Sequence, residues 1–168
     1  MEILFENVHV RDKQTYKEIF TRTILRRPFF IVLDIIMAFE LLFIIVNCLI
    51  DRYFDIKIIF LYVLYLFFRI FPYFNSIRIS LKRDEELSRG NPMHLITTVT
   101  EDTVTLTNGQ GNVSQFPLSA VKVATQTKSF ILLKTKAKYL LIFKKDGFTK
   151  GSYADFWHFL QYKGIPVK

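Results

Sequence analysis

The chain has 168 residues, 51% of them hydrophobic, and a formal net charge of +8 from 23 Lys and Arg against 15 Asp and Glu. That length holds one modest globular domain plus an anchor, and the single cysteine, Cys48, excludes an internal disulfide and any multi-cysteine zinc site. The mean hydropathy of +0.23 is high for a soluble protein because the apolar residues concentrate between Phe29 and Phe74. The basic excess suits an anionic membrane surface or a positive-inside bias; no recognition motif accompanies it, so nucleic acid is not an expected partner.

Residues 1–27 read as a cytoplasmic N-terminal strand and helix. Glu2 to Val10 has a strand-like apolar pattern, suited to an added edge strand on the C-terminal domain. Asp12 to Arg27 predicts a helix with Tyr16, Ile19, Phe20, Thr23 and Ile24 on one stripe. Glu2, Glu6, Asp12 and Glu18 lie among its bases and no long apolar core is present, so the segment reads as mature protein rather than signal peptide.

Residues 28–75 predict a two-helix transmembrane hairpin. The run Phe29 to Ile50 has 22 residues, enough to cross a hydrocarbon core of about 30 Å as a helix. The second span covers about 57–74 and is short, which places Arg69 and Pro72 near the headgroups. Asp51 to Lys57 is a polar, tight connection. Two core helices of a soluble protein would need a surrounding shell that so short a chain does not supply.

Orientation follows from the bases. Arg11, Lys13, Lys17, Arg22, Arg26 and Arg27 precede the first span, and Arg78, Lys82, Arg83 and Arg89 follow the second, against Arg52 and Lys57 in the loop. Both termini are therefore expected in the cytoplasm of a multi-pass plasma (inner) membrane protein. Tyr53 and Phe54 on one side, and Phe29, Phe30, Tyr73 and Phe74 on the other, are expected interfacial anchors.

Asp34, Glu40 and Arg69 are the intramembrane ion-pair candidates. Each costs on the order of 2.5–3.5 kcal/mol at a helix centre, so a partner is required. Folding the hairpin about its loop puts Arg69 near the depth of Ala38, between the two acids. An anchoring pair that fixes hairpin register or an oligomer contact is favoured over an ion or proton pathway, since one helix pair encloses no pore.

Residues 76–92 predict a helical linker ended by Gly90-Asn91-Pro92. From residue 93 to 168 the pattern becomes short strands: Thr103 to Thr107, a turn at Asn108 to Asn112, then Ser114 to Leu118, Val121 to Thr125, Phe130 to Thr135 and Tyr139 to Phe143. Ser152 and Asp155 have capping-box spacing, and Tyr153, Phe156, Trp157 and Leu160 form the stripe of a closing helix. The expected fold class is thus a membrane α+β protein. A transmembrane hairpin carries a cytoplasmic antiparallel β domain of five to seven strands, capped by a C-terminal helix in the pleckstrin-homology-like (PH-like) plan.

The order of elements in "VTEDTVTLTNGQGNVSQFPLSAVKVATQTKSFILLKTKAKYLLIFKKDGFTKGSYADFWHFLQYKG" resembles the YcxB-like membrane proteins of Gram-positive bacteria. The resemblance covers about Thr98 to Gly164, with the upstream hairpin agreeing in layout. Where the family usually has an apolar strand followed by "PKRDF", Phe143 stands at the usual proline. The resemblance implies a bacterial inner-membrane protein with a cytoplasmic PH-like domain.

No catalytic constellation is present, and neither enzyme activity, a cofactor nor a metal is expected: there is no phosphate loop, nucleophile elbow or H-E-x-x-H pair. His9, His94 and His158 are scattered and read as exposed or structural. Lysine is the informative surface residue. Lys128, Lys134, Lys136, Lys138, Lys144, Lys145 and Lys150 gather around the last strands. Of these, Lys134, Lys136, Lys138, Lys144 and Lys145 form the candidate patch for the membrane surface or a partner. Lysine without arginine argues against bidentate phosphate recognition. The expected function is a non-enzymatic membrane-anchored interaction module that binds a protein, a peptide or the anionic leaflet. A protein that protects the cell against membrane-active peptides and an oligomeric ion carrier are the alternatives. Homo-oligomerisation is left open.

Overall fold

The computed structural model describes residues 2–26, 28–51 and 56–167, which group into two compact units, Lys13–Leu81 and Met1–Asp12 with Lys82–Lys168. We call them the helical unit and the β unit.

In the helical unit α1 (Lys13–Phe20) buries Thr15, Tyr16 and Ile19. It passes into a π-helical turn, Thr21–Leu25, closed by the Arg26 N–H donating to the Thr21 carbonyl at 3.0 Å. Two long helices follow, α2 (Pro28–Asp51) and α3 (Ile56–Ser88). Both are long and apolar enough to cross a membrane: mean hydropathy is 2.8 over Pro28–Asn47 and 1.3 over Ile59–Ser88, and neither apolar window is buried at all. The 24 residues of α2 span about 36 Å. The loop residues Arg52, Tyr53 and Phe54, and Arg27 before α2, lie outside the described residues.

The second span and the linker expected after it are one helix. α3 runs unbroken through Pro72 to Ser88. It ends where Arg89 and Gly90 turn to positive φ, 53° and 82°, a conformation glycine adopts without steric cost. The Gly90 N–H donates to the Glu85 carbonyl at 3.0 Å, which satisfies a carbonyl the helix leaves free.

Among the described residues the β unit holds eight strands, β1 (Phe5–Arg11), β2 (Met93–Val99), β3 (Thr103–Asn108), β4 (Val113–Pro117), β5 (Val121–Gln126), β6 (Phe130–Thr135), β7 (Leu140–Lys144) and β8 (Phe148–Lys150), and the closing helix α4 (Tyr153–Tyr162). They form two antiparallel sheets, ordered β4-β3-β2-β1-β8 and β5-β6-β7. The β3–β4 turn is the expected one: the Asn108 Oδ1 accepts from the Gln110 and Asn112 N–H groups at 3.1 and 2.9 Å. The core joins both sheets to α4 through Val99, Val104, Leu133, Phe143, Phe156 and Leu160, all fully or almost fully buried. Ser152 caps α4 as expected, its Oγ accepting from the Asp155 N–H at 3.1 Å. Tyr153 does not join the apolar stripe; it is 48% exposed, and Phe159 packs on the core instead.

The N-terminal strand departs from expectation in position. β1 is not an edge strand but lies between β2 and β8, pairing Phe5 with Val99 through Arg11 with Met93. Residues 1–12 and the last turns of α3 therefore belong to the same compact unit as the C-terminal strands, rather than to separate N-terminal and linker segments.

Candidate functional site

The sequence brought three ionisable residues into the apolar helices, and the structure brings two of them together. The Arg69 Nη2 donates to the Asp34 Oδ2 at 3.0 Å and Nε donates to Oδ1 at 3.2 Å, a two-point fork. The Tyr65 hydroxyl, one turn earlier on α3, donates to the same Oδ1. Arg69 also donates from Nη2 to the Leu25 carbonyl at 2.6 Å, capping the end of the π-helical turn, and its Cζ lies 4.7 Å from the Phe30 ring centroid. One guanidinium thus ties the π-helical turn, α2 and α3 to each other.

Glu40 takes no part. The expected midpoint between the two acids is displaced four residues toward the start of α2, because the Leu25 carbonyl and Asp34 together hold Arg69 there. Glu40 is exposed, and among the described residues it has no hydrogen-bond or ion-pair partner. Tyr65 was the part of this site that sequence reading missed; its spacing of four residues from Arg69 put it on the same helix face.

The five candidate lysines do not form one patch. Lys134, Lys136 and Lys138 stand exposed at the β6–β7 turn, while Lys144 and Lys145 lie at the other end of β7. Lys144 pairs with Asp146 at 3.2 Å and Lys145 lies 5.7 Å from the Tyr153 ring centroid. At the turn, Lys138 holds a φ of 67°, and the Thr135 Oγ1 accepts from the Tyr139 N–H at 2.9 Å. That geometry leaves Tyr139 60% exposed beside the three lysines, its ring 5.5 Å from that of Phe116.

A buried polar row on β1 was not visible in the sequence. Asn7 is 0% exposed and clamps β7: its Nδ2 donates to the Lys144 carbonyl at 2.7 Å, and its Oδ1 accepts from the Lys144 N–H at 3.1 Å. Beside it Gly147 is required by close approach, since an added Cβ would lie 2.5 Å from the Val8 carbonyl oxygen. Two residues along β1, the His9 Nδ1 is 3.2 Å from the Asn7 Oδ1. A carbonyl oxygen only accepts, so Nδ1 carries the proton. Nε2 is buried without a hydrogen-bond partner, and burial, then the charges of Arg11 and Lys144, lower the His9 pKa to about 4. Further along, the Arg11 Nη1 lies 3.7 Å from the Asp84 Oδ1. The other two histidines, His94 and His158, are exposed.

A groove of about 550 Å³ runs beside Glu101, Asp102, Leu118, Lys163 and Ile165. Lys163 bridges Glu101 and Asp102 at 3.6 and 3.8 Å across its rim. Among the described residues no three His, Cys, Asp or Glu side chains gather where they could hold a metal ion. Set against known protein families, curated proteins and solved structures, the chain matches none of them.

Proposed function

We propose that the chain is a non-enzymatic, membrane-anchored interaction module of the YcxB-like kind. In this reading α2 and α3 form a transmembrane hairpin in the plasma membrane, both termini face the cytoplasm, and the β unit docks on the anionic leaflet through its β6–β7 turn. The unburied apolar windows of both helices support the anchor. Two antiparallel sheets closed by a C-terminal helix support the PH-like plan. The Arg69–Asp34 fork, tied to a backbone carbonyl and a tyrosine, suits a fixed structural brace better than a site that must release an ion.

The observation that carries the docking surface is the imbalance of charge at the turn. The four acids after residue 93 are engaged elsewhere: Glu101 and Asp102 with Lys163, Asp146 with Lys144, and Asp155 with Ser152. Lys134, Lys136 and Lys138 have no carboxylate partner among the described residues. An aromatic ring amid free lysines is chemistry for a headgroup layer, where each base contributes about 1 kcal/mol and tyrosine sits at the apolar boundary.

The test uses the full chain reconstituted in nanodiscs. Residues 134–140 should gain hydrogen-exchange protection on anionic but not on neutral lipid, and lose it as salt screens the attraction. Replacing Lys134, Lys136 and Lys138 by Gln should abolish the difference; replacing Lys144 and Lys145 should not. Equal protection on both lipids, or protection that survives the triple change, would sink lipid docking and move the search to a protein or peptide partner. A reporter active only in the cytoplasm should work at Lys168 and fail at Tyr53; the reverse would overturn the orientation.

A further inference from the structure

We infer that two copies of the chain associate through the face of α2 that carries Glu40 and Asn47. The inference rests on the transmembrane reading of α2 given above. Glu40 lies at the middle of α2, twelve residues from Pro28 and eleven from Asp51, the costliest depth for a carboxyl group. It is exposed on a helix whose apolar window is unburied, so in a bilayer it would face acyl chains. Asn47 follows at seven residues, a rotation of only about 20° from Glu40 on the helix surface. Neither side chain has a hydrogen-bond partner among the described residues. Two polar side chains at heptad spacing along one stripe of a membrane helix therefore await partners of matching chemistry.

Among the described residues the hairpin does not supply them. Arg69 has two of its nitrogens committed to Asp34 and the Leu25 carbonyl. Its remaining nitrogen, Nη1, is buried, and the side chain is only 10% exposed, out of reach of another copy. On α2, Asp34 and Glu40 are 600° apart by rotation and so occupy different faces. The Asp34 side is used within the hairpin, whereas Glu40 and Ile36 are exposed and Leu33 and Asn47 on the same stripe are half-buried.

A second copy answers the chemistry. Copies inserted with the same topology present equivalent residues at the same depth, and a two-fold axis along the membrane normal sets Glu40 against Glu40 and Asn47 against Asn47. Two carboxyl side chains set together there meet a polar partner in place of acyl chains. Two carboxamides pair directly, each offering a donor and an acceptor. Ile36 and Leu33, one and two turns before Glu40 on its side of the helix, fill the seam, and heptad spacing gives the shallow left-handed crossing common in membrane bundles.

The experiment measures the oligomeric state of the full chain by native mass spectrometry from nanodiscs and by dilution in mild detergent. The wild type should be a dimer. Glu40→Leu should weaken it by about three- to thirty-fold, and Glu40→Gln, which keeps a self-complementary group, should retain it. In a Cys48→Ser background, Leu33→Cys and Ile36→Cys should cross-link between copies on oxidation, whereas Ile31→Cys and Leu42→Cys on the opposite side should not. A monomer at every protein-to-lipid ratio would overturn the inference, as would cross-linking through Ile31 or Leu42, or a dimer indifferent to Glu40→Leu. Alkaline carbonate washing separates this outcome from failure of the membrane reading: a chain released from membranes by carbonate is not spanning, whereas a retained monomer is spanning but unpaired.

Discussion

The two units of this protein are inside-out relative to each other. In the β unit the apolar residues are the interior: Val99, Val104, Leu133, Phe143, Phe156 and Leu160 are shielded, and the lysines stand outside. In the helical unit the order reverses. Phe39, Phe43, Phe60 and Phe68 are 64–68% exposed, while the Arg69 guanidinium, on a side chain only 10% exposed, is held by Asp34 and the Leu25 carbonyl. Side-chain burial follows the solvent a surface meets, so two opposite patterns in one chain suit the membrane-anchored reading proposed above. The same contrast separates what stabilises each part. Apolar burial works for the β unit, whereas on the transmembrane reading hydrogen bonds and packing hold the helices, since lipid is as apolar as leucine.

Removing core volume should therefore damage the β unit most. Phe156 is 0% exposed and its ring centroid lies 4.7 Å from that of Phe143 and 5.3 Å from that of Phe5. Phe156→Ala should cost about 3–5 kcal/mol. Trp157, the sole tryptophan, sits on the neighbouring helix position and reports the loss by its emission in urea titration of the full chain in detergent. An equal-volume loss on the exposed face of α2, Phe43→Ala, should leave that midpoint unmoved. Equal sensitivity at both positions would erase the contrast.

The converse change deletes the polar brace of the helical unit. On the transmembrane reading proposed above, Arg69→Leu leaves the Asp34 carboxylate with Tyr65 alone and frees the Leu25 carbonyl, a loss of about 2.5–3.5 kcal/mol on insertion scales. Detergent-extracted protein should aggregate at lower temperature. Adding Asp34→Asn should recover part of the loss, whereas adding Glu40→Gln should recover none, because Glu40 is not the partner. Simple additivity of Arg69→Leu with Asp34→Asn would break the brace.

Much of this contrast was legible beforehand, and the failures share one cause. Apolar runs are one-dimensional signals, so α2, the first part of α3, the strands from Thr103 onward and the cap at Ser152 could be read along the chain. The choice between Asp34 and Glu40 could not, because the carbonyl of Leu25 that fixes Arg69 belongs to a turn whose hydrogen bonds carry no side-chain signature. The inner position of β1 was hidden for a related reason. Asn7, His9 and Arg11 on its inward face look like solvent-facing residues, and only the pairing with β2, β8 and the Lys144 backbone buries Asn7 and His9. The lysine cluster failed as a cluster because hairpin geometry sends neighbours in sequence, Lys138 and Lys144, to opposite ends of one strand.

The smallest expected effect concerns acid, and it sharpens the contrast because all three histidines lie in the β unit and none in Lys13–Leu81. His9 is held neutral by burial and by Arg11 and Lys144; Asp84, paired with Arg11, is the acid on the adjoining end of α3. The folded pKa of His9, about 4, lies below the ordinary 6.5, so the unfolded chain takes up the proton first as pH falls. The neutral-histidine contribution is complete above pH 6.5. It is lost as pH drops from there toward 4, and no further loss from this group follows below. By pH 5 the difference should reach ~1–2 kcal/mol in the Trp157-monitored stability, a discounted figure for one buried group. His9→Gln cannot titrate and should flatten that part of the profile, with any fixed cost of the substitution appearing equally at pH 7 and pH 5. If the variant and the wild type lose stability in parallel between pH 7 and 5, the proton acts elsewhere, and the polar row on β1 is only a clamp between Asn7 and Lys144.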